Sequence, residues 1–367
     1  MTESQLYKLL FYSLFFIISI CFSVLINFLI LRFSRNLGMR NVKNNQFGGV
    51  RWGSTSKPSV GGFSFYIVFL ISISVLGAIP VEEQGNYKQL IGLLAACSVG
   101  FLLGLADDAY NTNPLMKFIG QFTCANLLVA TGFQIQATTL PEINYIITVL
   151  WVIGLMNSIN MLDNMDAITT SVSASIIIGA IVLIFLNGET SNVYLVILLG
   201  ILGALIGFLF FNWHPSRIYM GDTGSQFLGV FLAAISILFF WNYRESYSGF
   251  IEIRQFLIPM LLFIIPLIDT TTVVIRRLAR RQSPFVGGKD HITHQLAYLG
   301  LPDQWVAIVL ALISVCSIFL VIFIHRNLES WQLNYSLLLI GYFLLVFGLF
   351  QVLYNIAQKK HKQHAKP

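Results

Sequence analysis

A short polar segment, residues 211–225, lies between two long apolar runs and holds side chains suited to chemistry. It reads FNWHPSRIYMGDTGS and contains Arg217, Asp222 and two glycines. Ionisable groups are costly beside a bilayer, so in an apolar setting they indicate a function. The alternative is an ordinary cytoplasmic turn whose Asp is solvated.

A pair of adjacent acids, Asp107 and Asp108, ends the third apolar run. Neighbouring carboxylates repel each other, and at the end of a buried helix they require a shared cation or proton. Two solvated helix-end acids are the alternative, but acids at a helix carboxyl end oppose the helix dipole. The pair therefore favours a functional site.

Four polar residues follow one another in steps of three: Asn157, Asn160, Asp163 and Asp166. At a helix end or tight turn this spacing places them along one side. Amides and carboxylates so arranged suit a sugar, a uracil or a hydrated metal ion. Hydrogen bonding between membrane helices is the alternative explanation.

The glycines beside Asp222 allow the backbone to approach a ligand, and Ser225 can cap the following helix. Helix amino ends attract phosphate, and the Lys/Arg cluster at 276–281 adds positive charge. Asp269 is expected to pair with one of these Arg residues. Lys57, at the end of a basic, Gly-rich segment, is expected to contact phosphate, with anionic lipid headgroups as the alternative partner.

Two imidazoles, His291 and His294, lie in the longest inner loop. No Cys or Glu completes a zinc site at suitable spacing, so these residues are expected to donate hydrogen bonds to phosphate or to carry protons. The four Cys residues are isolated within apolar runs and predict neither disulfides nor zinc. The remaining donors are oxygen-rich, which indicates Mg²⁺, or alternatively Mn²⁺, acting on a pyrophosphate.

The composition requires a membrane to hold these residues in place. Of 367 residues, 56% are hydrophobic and only 10% are charged, which predicts an all-α polytopic membrane protein with about eleven spans. The first run is too long for a signal peptide and is taken as a retained span. The runs are 9–31, 60–80, 89–106, 115–135, 143–160, 170–187, 192–212, 225–241, 255–275, 304–324 and 333–354.

The charges predict the orientation of the spans. With the amino terminus outside and the carboxyl terminus cytoplasmic, Lys and Arg divide 17 to 5 in favour of the inner segments. All eight Asp then lie on the inner side and all eight Glu on the outer side. The net charge of +6 thus reflects topology and implies no nucleic-acid partner.

Residues 1–355 are predicted to form one transmembrane catalytic domain. A basic cytoplasmic tail, 356–367, follows it, and its last ten residues are expected to be disordered. The predicted active-site loops are 33–59, 107–114, 161–169, 213–224 and 276–303.

These motifs, in this order from Lys57 to Gly300, resemble the polyprenyl-phosphate N-acetylhexosamine-1-phosphate transferases of glycosyltransferase family 4. The resemblance is strongest to the branch that moves GlcNAc-1-phosphate from UDP-GlcNAc to undecaprenyl phosphate. It implies that Asp107 or Asp108 handles the lipid phosphate and that Asp222 binds Mg²⁺. It also places Asn212 and the ring of Tyr219 near the uridine.

The residue patterns and the resemblance together assign three sets of site residues. The expected catalytic residues are Asp107, Asp108, Asp163, His291 and His294. The expected substrate-binding residues are Lys57, Asn157, Asn160, Asp166, Asn212, Arg217 and Tyr219. The expected metal ligands are Asp108 and Asp222.

Three motifs depart from the family pattern. Its Asp-Gly-x-Asp-Gly is Asp-Asn-Met-Asp-Ala at residues 163–167, and Thr293 replaces the middle His of its His-x-His-His. The His-His-His-x-Glu signature of the MurNAc-pentapeptide branch is absent, which argues against the peptidoglycan enzyme.

The expected reaction is attack by a lipid-phosphate oxygen on the β-phosphorus of a UDP-N-acetylamino sugar in the bacterial inner membrane, on its cytoplasmic face. The product would begin a cell-envelope glycan such as lipopolysaccharide or a cell-wall polymer. A covalent aspartyl phosphate, another UDP-sugar including UDP-MurNAc-pentapeptide, an ion-coupled transporter and an inactive scaffold are the alternatives. The oligomeric state, including a homodimer, stays open.

Overall fold

The computed structural model of the chain describes residues 3–33, 57–78, 87–189, 192–243, 253–283, 288–327 and 329–364. Every regular element within these ranges is a helix. Residues 34–56 of the first predicted loop lie outside the described residues. The same is true of 284–287 in the last predicted loop and of 365–367 in the tail.

The described residues form thirteen α-helices, α1 to α13 in chain order. Helices α1 to α4 are Glu3–Phe33, Gly62–Ala78, Tyr87–Tyr110 and Pro114–Ala130. Helices α5 to α8 are Pro141–Leu162, Ile168–Leu186, Tyr194–Asn212 and Gly221–Ser236, and α8 continues as a π-helical turn, Ile237–Trp241. Helices α9 to α13 are Ile253–Leu262, Ile264–Ala279, Ile292–Tyr298, Asp303–Arg326 and Leu333–His364.

The described helices define a polytopic helical membrane protein. A helix lies in each of the eleven predicted apolar runs. Eight helices of the described chain are long and apolar enough to cross a bilayer, and α9 with α10 makes a ninth if that pair, bent by 78°, counts as one span. Helices α2 and α4 are shorter, at 17 residues each, so helix length does not establish eleven crossings.

The apolar run at 115–135 is not one helix throughout. Helix α4 begins at Pro114, where the Asn113 side chain accepts a hydrogen bond from the Met116 amide, and it ends at Ala130. Gly132 then has a φ of +100°, and the chain continues without regular structure, with Phe133 and Ile135 fully buried. Apolar composition predicted burial here correctly, but burial alone does not require a helix.

The predicted disorder of the tail is wrong for the residues that the structure describes. Helix α13 continues to His364 without a break, beyond the predicted end of the span at 354. Tyr354 and Ala357 are fully buried, and Gln358 donates a hydrogen bond to the Gln295 side chain of α11 (3.1 Å). Packing against α11 therefore extends a helix that the basic composition alone did not predict.

Helix α8 lies at the centre of the bundle, between α3, α5 and α2. All of its residues except Asp222 are buried. A Cβ atom on Gly104 of α3 would lie 2.2 Å from the Asp222 carbonyl oxygen, and one on Gly62 of α2 would lie 2.3 Å from the Gly224 nitrogen. These two glycines let α3 and α2 touch the α8 backbone at its amino end, where the polar residues gather.

Candidate active site

The carboxylate of Asp108 caps the amino end of α8. Its Oδ1 accepts a hydrogen bond from the Asp222 amide (3.1 Å), and its Oδ2 accepts from the Thr223 amide (2.8 Å) and hydroxyl (2.6 Å). The first amides of a helix lack partners within the helix and favour negative charge, so this contact is stabilising. Asp108, on α3, thereby fixes the position from which the Asp222 side chain leaves α8.

Lys117 joins the acids of α3 to the end of α5. Its ammonium donates to Asp107 Oδ2 (2.9 Å) and to Asn160 Oδ1 (3.1 Å). The Asn160 amide nitrogen in turn donates to Asp222 Oδ1 and to the Ser225 hydroxyl (2.8 Å). We call Asp107, Asp108, Lys117, Asn160 and Asp222 the acidic cluster.

The acidic cluster holds three carboxylates and one ammonium. The second oxygen of Asp107 is occupied by the amide (2.9 Å) and hydroxyl (2.6 Å) of Thr112. Neighbouring carboxylates favour a cation, because a single ammonium compensates the mutual repulsion of three negative charges only in part. The structure therefore unites the predicted Asp107, Asp108, Asn160 and Asp222 in a site that attracts positive charge.

Lys117 was not predicted as a site residue, because its charge was used only to orient the spans. The signal was nevertheless available in the sequence. Lys117 is the only Lys, Arg, His, Asp or Glu between Pro114 and Ala130, and a charged residue in such a segment is a functional candidate.

Asn157 lies one turn before Asn160 on α5 and does not reach the carboxylates. Its side chain exchanges two hydrogen bonds with Gln121 of α4, at 2.8 and 3.2 Å. Helix α5 ends at Leu162, so the three-residue spacing does not continue through Asp163 and Asp166 on one helix face. Asp163 occupies the cap position of α5, and Asp166 lies in the turn that follows.

Asp166 belongs to a second group of polar residues, beside the segment that precedes α8. It accepts hydrogen bonds from the Ser216 amide (3.0 Å) and hydroxyl (2.8 Å), and His214 Nδ1 lies 3.0 Å from it. Lys57 donates to the same Ser216 hydroxyl (3.1 Å), and its ammonium lies 5.1 Å from the centre of the Tyr219 ring. The predicted residues Lys57, Asp166 and Tyr219 therefore do come together.

The backbone explains why Lys57 lies beside Tyr219. The Tyr219 amide donates to the Pro58 carbonyl (2.9 Å), and the Gly61 amide donates to the Tyr219 carbonyl (3.0 Å). These reciprocal bonds join the segment before α2 to the segment before α8. Two of the predicted loops thus meet at one end of the bundle.

Asn212 connects the start of α6 to the segment that precedes α8. It is buried, and its Oδ1 accepts from the Ala167 amide (3.1 Å) and the Thr170 hydroxyl (2.9 Å). Its Nδ2 donates to the Ile218 carbonyl (3.1 Å). These bonds leave the side chain tied to its own surroundings, and contact with a substrate stays a prediction. Arg217 is exposed, and its backbone amide donates to the Phe211 carbonyl (2.6 Å).

The prediction that Asp269 pairs with an Arg is wrong. Its Oδ2 lies 2.7 Å from His291 Nδ1, and its Oδ1 accepts from the Ile292 amide (2.8 Å). Arg277 instead binds Asp290, with two bonds of 2.8 and 2.6 Å. Asp269 is fully buried on α10, where it holds the ring of His291 and the first residue of α11 together.

His294 lies against His291, with 5.6 Å between the ring centres. Burial, reinforced by the neighbouring His291, lowers the pKa of His294 to about 4. His294 is therefore neutral near pH 7 and suited to hydrogen bonding. Thr293, between the two His residues, donates to the Asn164 side chain (2.7 Å), which connects α11 to the turn that carries Asp163 and Asp166.

The Asp290 carboxylate beside the His residues stays ionised. Burial would raise the pKa of Asp290, but hydrogen bonds and charge from Arg277 outweigh that effect and hold the pKa below its ordinary value. The pair packs closely against Gly288, where a Cβ atom would lie 2.6 Å from Asp290 Oδ1. The Arg277–Asp290 ion pair thereby fixes the backbone just before His291.

The oxygen atoms of the acidic cluster are of a type that suits a hard divalent cation. They are the carboxylate oxygens of Asp107, Asp108 and Asp222 and the amide oxygen of Asn160, the types that Mg²⁺ prefers. Both Asp108 oxygens accept hydrogen bonds from α8. In the described residues no three His, Cys, Asp or Glu side chains are already arranged as a metal site.

The fold and the acidic cluster define a class of protein: a multi-pass helical membrane protein with acidic, basic and amide side chains gathered at one end of its helices. Residues 90–240 match the model of glycosyl transferase family 4. The match runs from α3 to the π-helical turn after α8 and includes every residue of the acidic cluster.

Three curated relatives extend the similarity beyond that region. The chain is 29% identical over 266 residues to a probable undecaprenyl-phosphate N-acetylglucosaminyl 1-phosphate transferase of Bacillus subtilis, covering 70% of each chain. It is 26% identical over 283 residues to a decaprenyl-phosphate N-acetylglucosaminephosphotransferase of Mycobacterium leprae, covering 70% of this chain and 71% of the relative. It is 32% identical over 204 residues to a phospho-N-acetylmuramoyl-pentapeptide-transferase of Oceanobacillus iheyensis, covering 50% of this chain and 62% of the relative.

Proposed function

We propose that this protein transfers N-acetylglucosamine 1-phosphate from UDP-N-acetylglucosamine to undecaprenyl phosphate. The relatives from Bacillus subtilis and Mycobacterium leprae carry polyprenyl phosphate and N-acetylglucosamine in their names. The observation that carries the proposal is the acidic cluster at the amino end of α8. It combines an ammonium group, that of Lys117, which is suited to phosphate, with carboxylates suited to a cation.

In the proposed reaction an oxygen of the lipid phosphate attacks the β-phosphorus of the nucleotide sugar. A new phosphoanhydride bond forms to the lipid phosphate, and the bond from the β-phosphorus to the bridging oxygen breaks. UMP leaves with that oxygen, so one phosphoanhydride replaces another and no oxidant or water is consumed. Such a reaction needs positioning and neutralisation of charge more than covalent catalysis by the protein.

The residues of the acidic cluster fit these two needs. Lys117 supplies the positive charge of the cluster. Its ammonium lies beside Asp107 and Asn160, where a phosphate oxygen of a substrate can become a further partner of the ammonium. Asp108 keeps the start of α8 fixed. Asp108 and Asp222, the predicted metal ligands, together with the neighbouring oxygens of Asp107 and Asn160, would hold Mg²⁺, which when bound supplies further neutralisation of the diphosphate.

We place this site on the cytoplasmic face of a bacterial inner membrane. The distribution of Lys and Arg along the sequence supports that orientation. Residues from four of the predicted inner loops bond to one another at one end of the bundle, as Lys57 with Ser216 and Thr293 with Asn164 illustrate. A shared end is what a site for one soluble and one lipid substrate requires.

The test is UMP release by purified protein given undecaprenyl phosphate and UDP-N-acetylglucosamine, with and without Mg²⁺. We expect UMP only when lipid phosphate, donor and metal are all present. The matched control is Asp222→Asn, which should insert and fold normally but release no UMP. Lipid-independent UMP release, or ion flux in vesicles without UMP release, would contradict the proposal.

A second donor is tested in the same assay. The similarity to the Oceanobacillus iheyensis enzyme favours UDP-MurNAc-pentapeptide as the alternative sugar nucleotide. The chain lacks the His-His-His-x-Glu sequence, having His291, Thr293 and His294 instead. We therefore expect UDP-N-acetylglucosamine to be used at least tenfold more efficiently, and the opposite order would assign the chain to the other donor.

A further inference from the structure

Three amide side chains, two of them buried (Gln121 and Gln226) and one half-buried (Asn157), form a layer directly beneath the acidic cluster. Gln121 follows Lys117 by four residues on α4, and Gln226 follows Asp222 by four on α8. Asn157 precedes Asn160 by three on α5. Residues three or four apart share a helix face, so each amide lies one turn deeper than a residue of the cluster.

Hydrogen bonds join the three amides to one another. Gln121 Nε2 donates to Asn157 Oδ1 and to Gln226 Oε1, both at 3.2 Å. Asn157 Nδ2 returns a bond of 2.8 Å to Gln121 Oε1. Gln121 is therefore the member that contacts both others, and it connects α4 to α5 and α8 at once.

The amide group of Gln226 lowers the stability of the folded protein. It is fully buried, and its Nε2 has no hydrogen-bond partner among the described residues. A buried amide with an unsatisfied donor is less favourable than an apolar side chain of the same shape. The oxygen of Gln226, which accepts from Gln121, is the part of the side chain that its surroundings use.

Helix α4 needs such a connection because, in the part of the chain that the structure describes, one of its faces is exposed. Leu115, Phe118 and Phe122 are exposed, whereas Gln121 is buried on the opposite face. Apolar contacts alone hold the rotation of a lipid-facing helix weakly, since membrane packing lacks a hydrophobic driving force between helices. The directional bonds of Gln121 define that rotation.

We propose that Gln121 is a positioning residue, which through Asn157 and Gln226 sets the rotation of α4 so that Lys117 reaches Asp107 and Asn160. This inference rests on the proposed transferase function. Rotation of α4 would displace the Lys117 ammonium sideways, away from partners now at 2.9 and 3.1 Å. A displacement of about 1 Å in a positioned group lowers turnover by on the order of a hundredfold.

The first test compares Gln121→Met with Thr123→Val in the UMP-release assay. Gln121→Met keeps the length of the side chain and removes its hydrogen bonds. We expect kcat to fall at least tenfold while KM for UDP-N-acetylglucosamine changes less than threefold. Thr123 is on the exposed side of α4 and bonds within its own helix (2.9 Å to the Ile119 carbonyl), so its variant should keep full activity. Unchanged kcat in Gln121→Met would overturn the proposal.

A reciprocal exchange separates positioning from general stability. Gln121→Asn shortens one partner of the exchanged bonds, and adding Asn157→Gln lengthens the other to match. We expect the double variant to recover at least half of the kcat that Gln121→Asn loses. No recovery in a protein that melts at the wild-type temperature would refute a positioning role.

A measurement without substrate covers the case in which the proposed function itself fails. If wild-type protein releases no UMP with any donor, the transferase proposal is wrong regardless of the variants. The melting temperatures of Gln121→Met, Lys117→Met and their double variant then decide the structural part. Coupled effects are expected if Gln121 holds Lys117 in place, and additive effects would exclude it.

Discussion

Lys117 is the residue on which the charge of the acidic cluster depends. Its side chain is mostly buried, as is that of Asp107, with which it forms an ion pair of 2.9 Å. A buried ion pair adds little to the net free energy of folding, but loss of one partner leaves the other as an uncompensated buried charge, which is strongly destabilising. The three carboxylates around Lys117 increase that penalty.

Replacement of Lys117 by Met should therefore reduce both activity and stability. We expect UMP release to fall more than a hundredfold and stability to fall by about 3 kcal/mol, the usual penalty for a buried charge without its partner. Lys359→Met, at an exposed position of α13, is the control and should behave as wild type. Wild-type turnover in Lys117→Met, measured in detergent with saturating Mg²⁺, would show that Lys117 has no role in the reaction.

His294 gives the protein an acid-sensitive component of stability. Its folded pKa is about 4, whereas an unfolded His titrates near 6.5. Between these values the unfolded chain binds more protons than the folded one, so folding weakens as pH falls. The contribution of His294 is complete above about pH 6.5 and is lost progressively as the pH drops towards 4.

The measurement is the melting temperature of wild type and His294→Gln from pH 7.5 to pH 4. The wild-type protein should lose more stability across the window from 6.5 to 4 than the variant does. Parallel curves for the two proteins would show that His294 does not titrate as the structure implies.

Residue types predicted the composition of the site better than they predicted its pairs. Asp107, Asp108, Asn160 and Asp222 meet as expected, because acids and amides in apolar surroundings must find polar partners. The partner of Asp269 was assigned wrongly, since Arg side chains nearby in sequence are engaged elsewhere. Pairing depends on which helices are neighbours, and a single sequence does not state that.

At the scale of elements, the amino end of α8 depends on the backbone of Gly221. Its φ is +76°, and a Cβ atom there would lie 2.4 Å from the Ser59 carbonyl and 2.7 Å from Asp108 Oδ2. Side chains are disfavoured at positive φ by about 1–2 kcal/mol even without a clash. Any side chain at this position would also push α8 away from its Asp108 cap.

Gly221→Ala should thus lower stability by at least about 2 kcal/mol, from strain and steric overlap combined, and reduce UMP release strongly. Gly154→Ala is the matched control, because a Cβ atom on Gly154 would meet nothing within 4 Å. We expect that variant to match or slightly exceed wild type in thermal unfolding. Equal behaviour of the two Ala variants would contradict the close packing at the start of α8.

Helices were predicted more reliably than their ends and bends. The apolar runs gave the positions of α5, α6 and α7 to within a few residues. The run at 255–275 instead forms two helices, α9 and α10, bent by 78°. Pro259 and Pro266 lie on either side of this break, but hydropathy averaged along a window does not register a change of direction.

At the scale of the whole molecule, the orientation of the spans remains a prediction that labelling can check. In a chain whose four Cys are replaced by Ala, single Cys residues would be introduced at Thr139 and Lys289, both exposed. An impermeant maleimide applied outside intact cells should label position 139 and not 289. Labelling in the reverse pattern would place the acidic cluster on the outer face.

Which distant segments become neighbours in the site was the feature hardest to predict from the sequence. Topology alone predicted that the Asp-bearing loops share one face, and the described segments that bond to one another agree with this. Their order around α8 could not be predicted, because it depends on glycines such as Gly62 and Gly104 that admit direct backbone contact. Those contacts decide which loops become neighbours.

The contact between α13 and α11 has a consequence for biosynthesis. Lys360 bonds to the Leu299 carbonyl and Gln358 to Gln295, while Tyr354 lies 3.7 Å from the Arg276 guanidinium at the end of α10. While the chain is being made, α11 leaves the ribosome long before residues 354–360 exist. Helix α11, which follows His291, therefore cannot form these stabilising contacts until some sixty further residues have been translated.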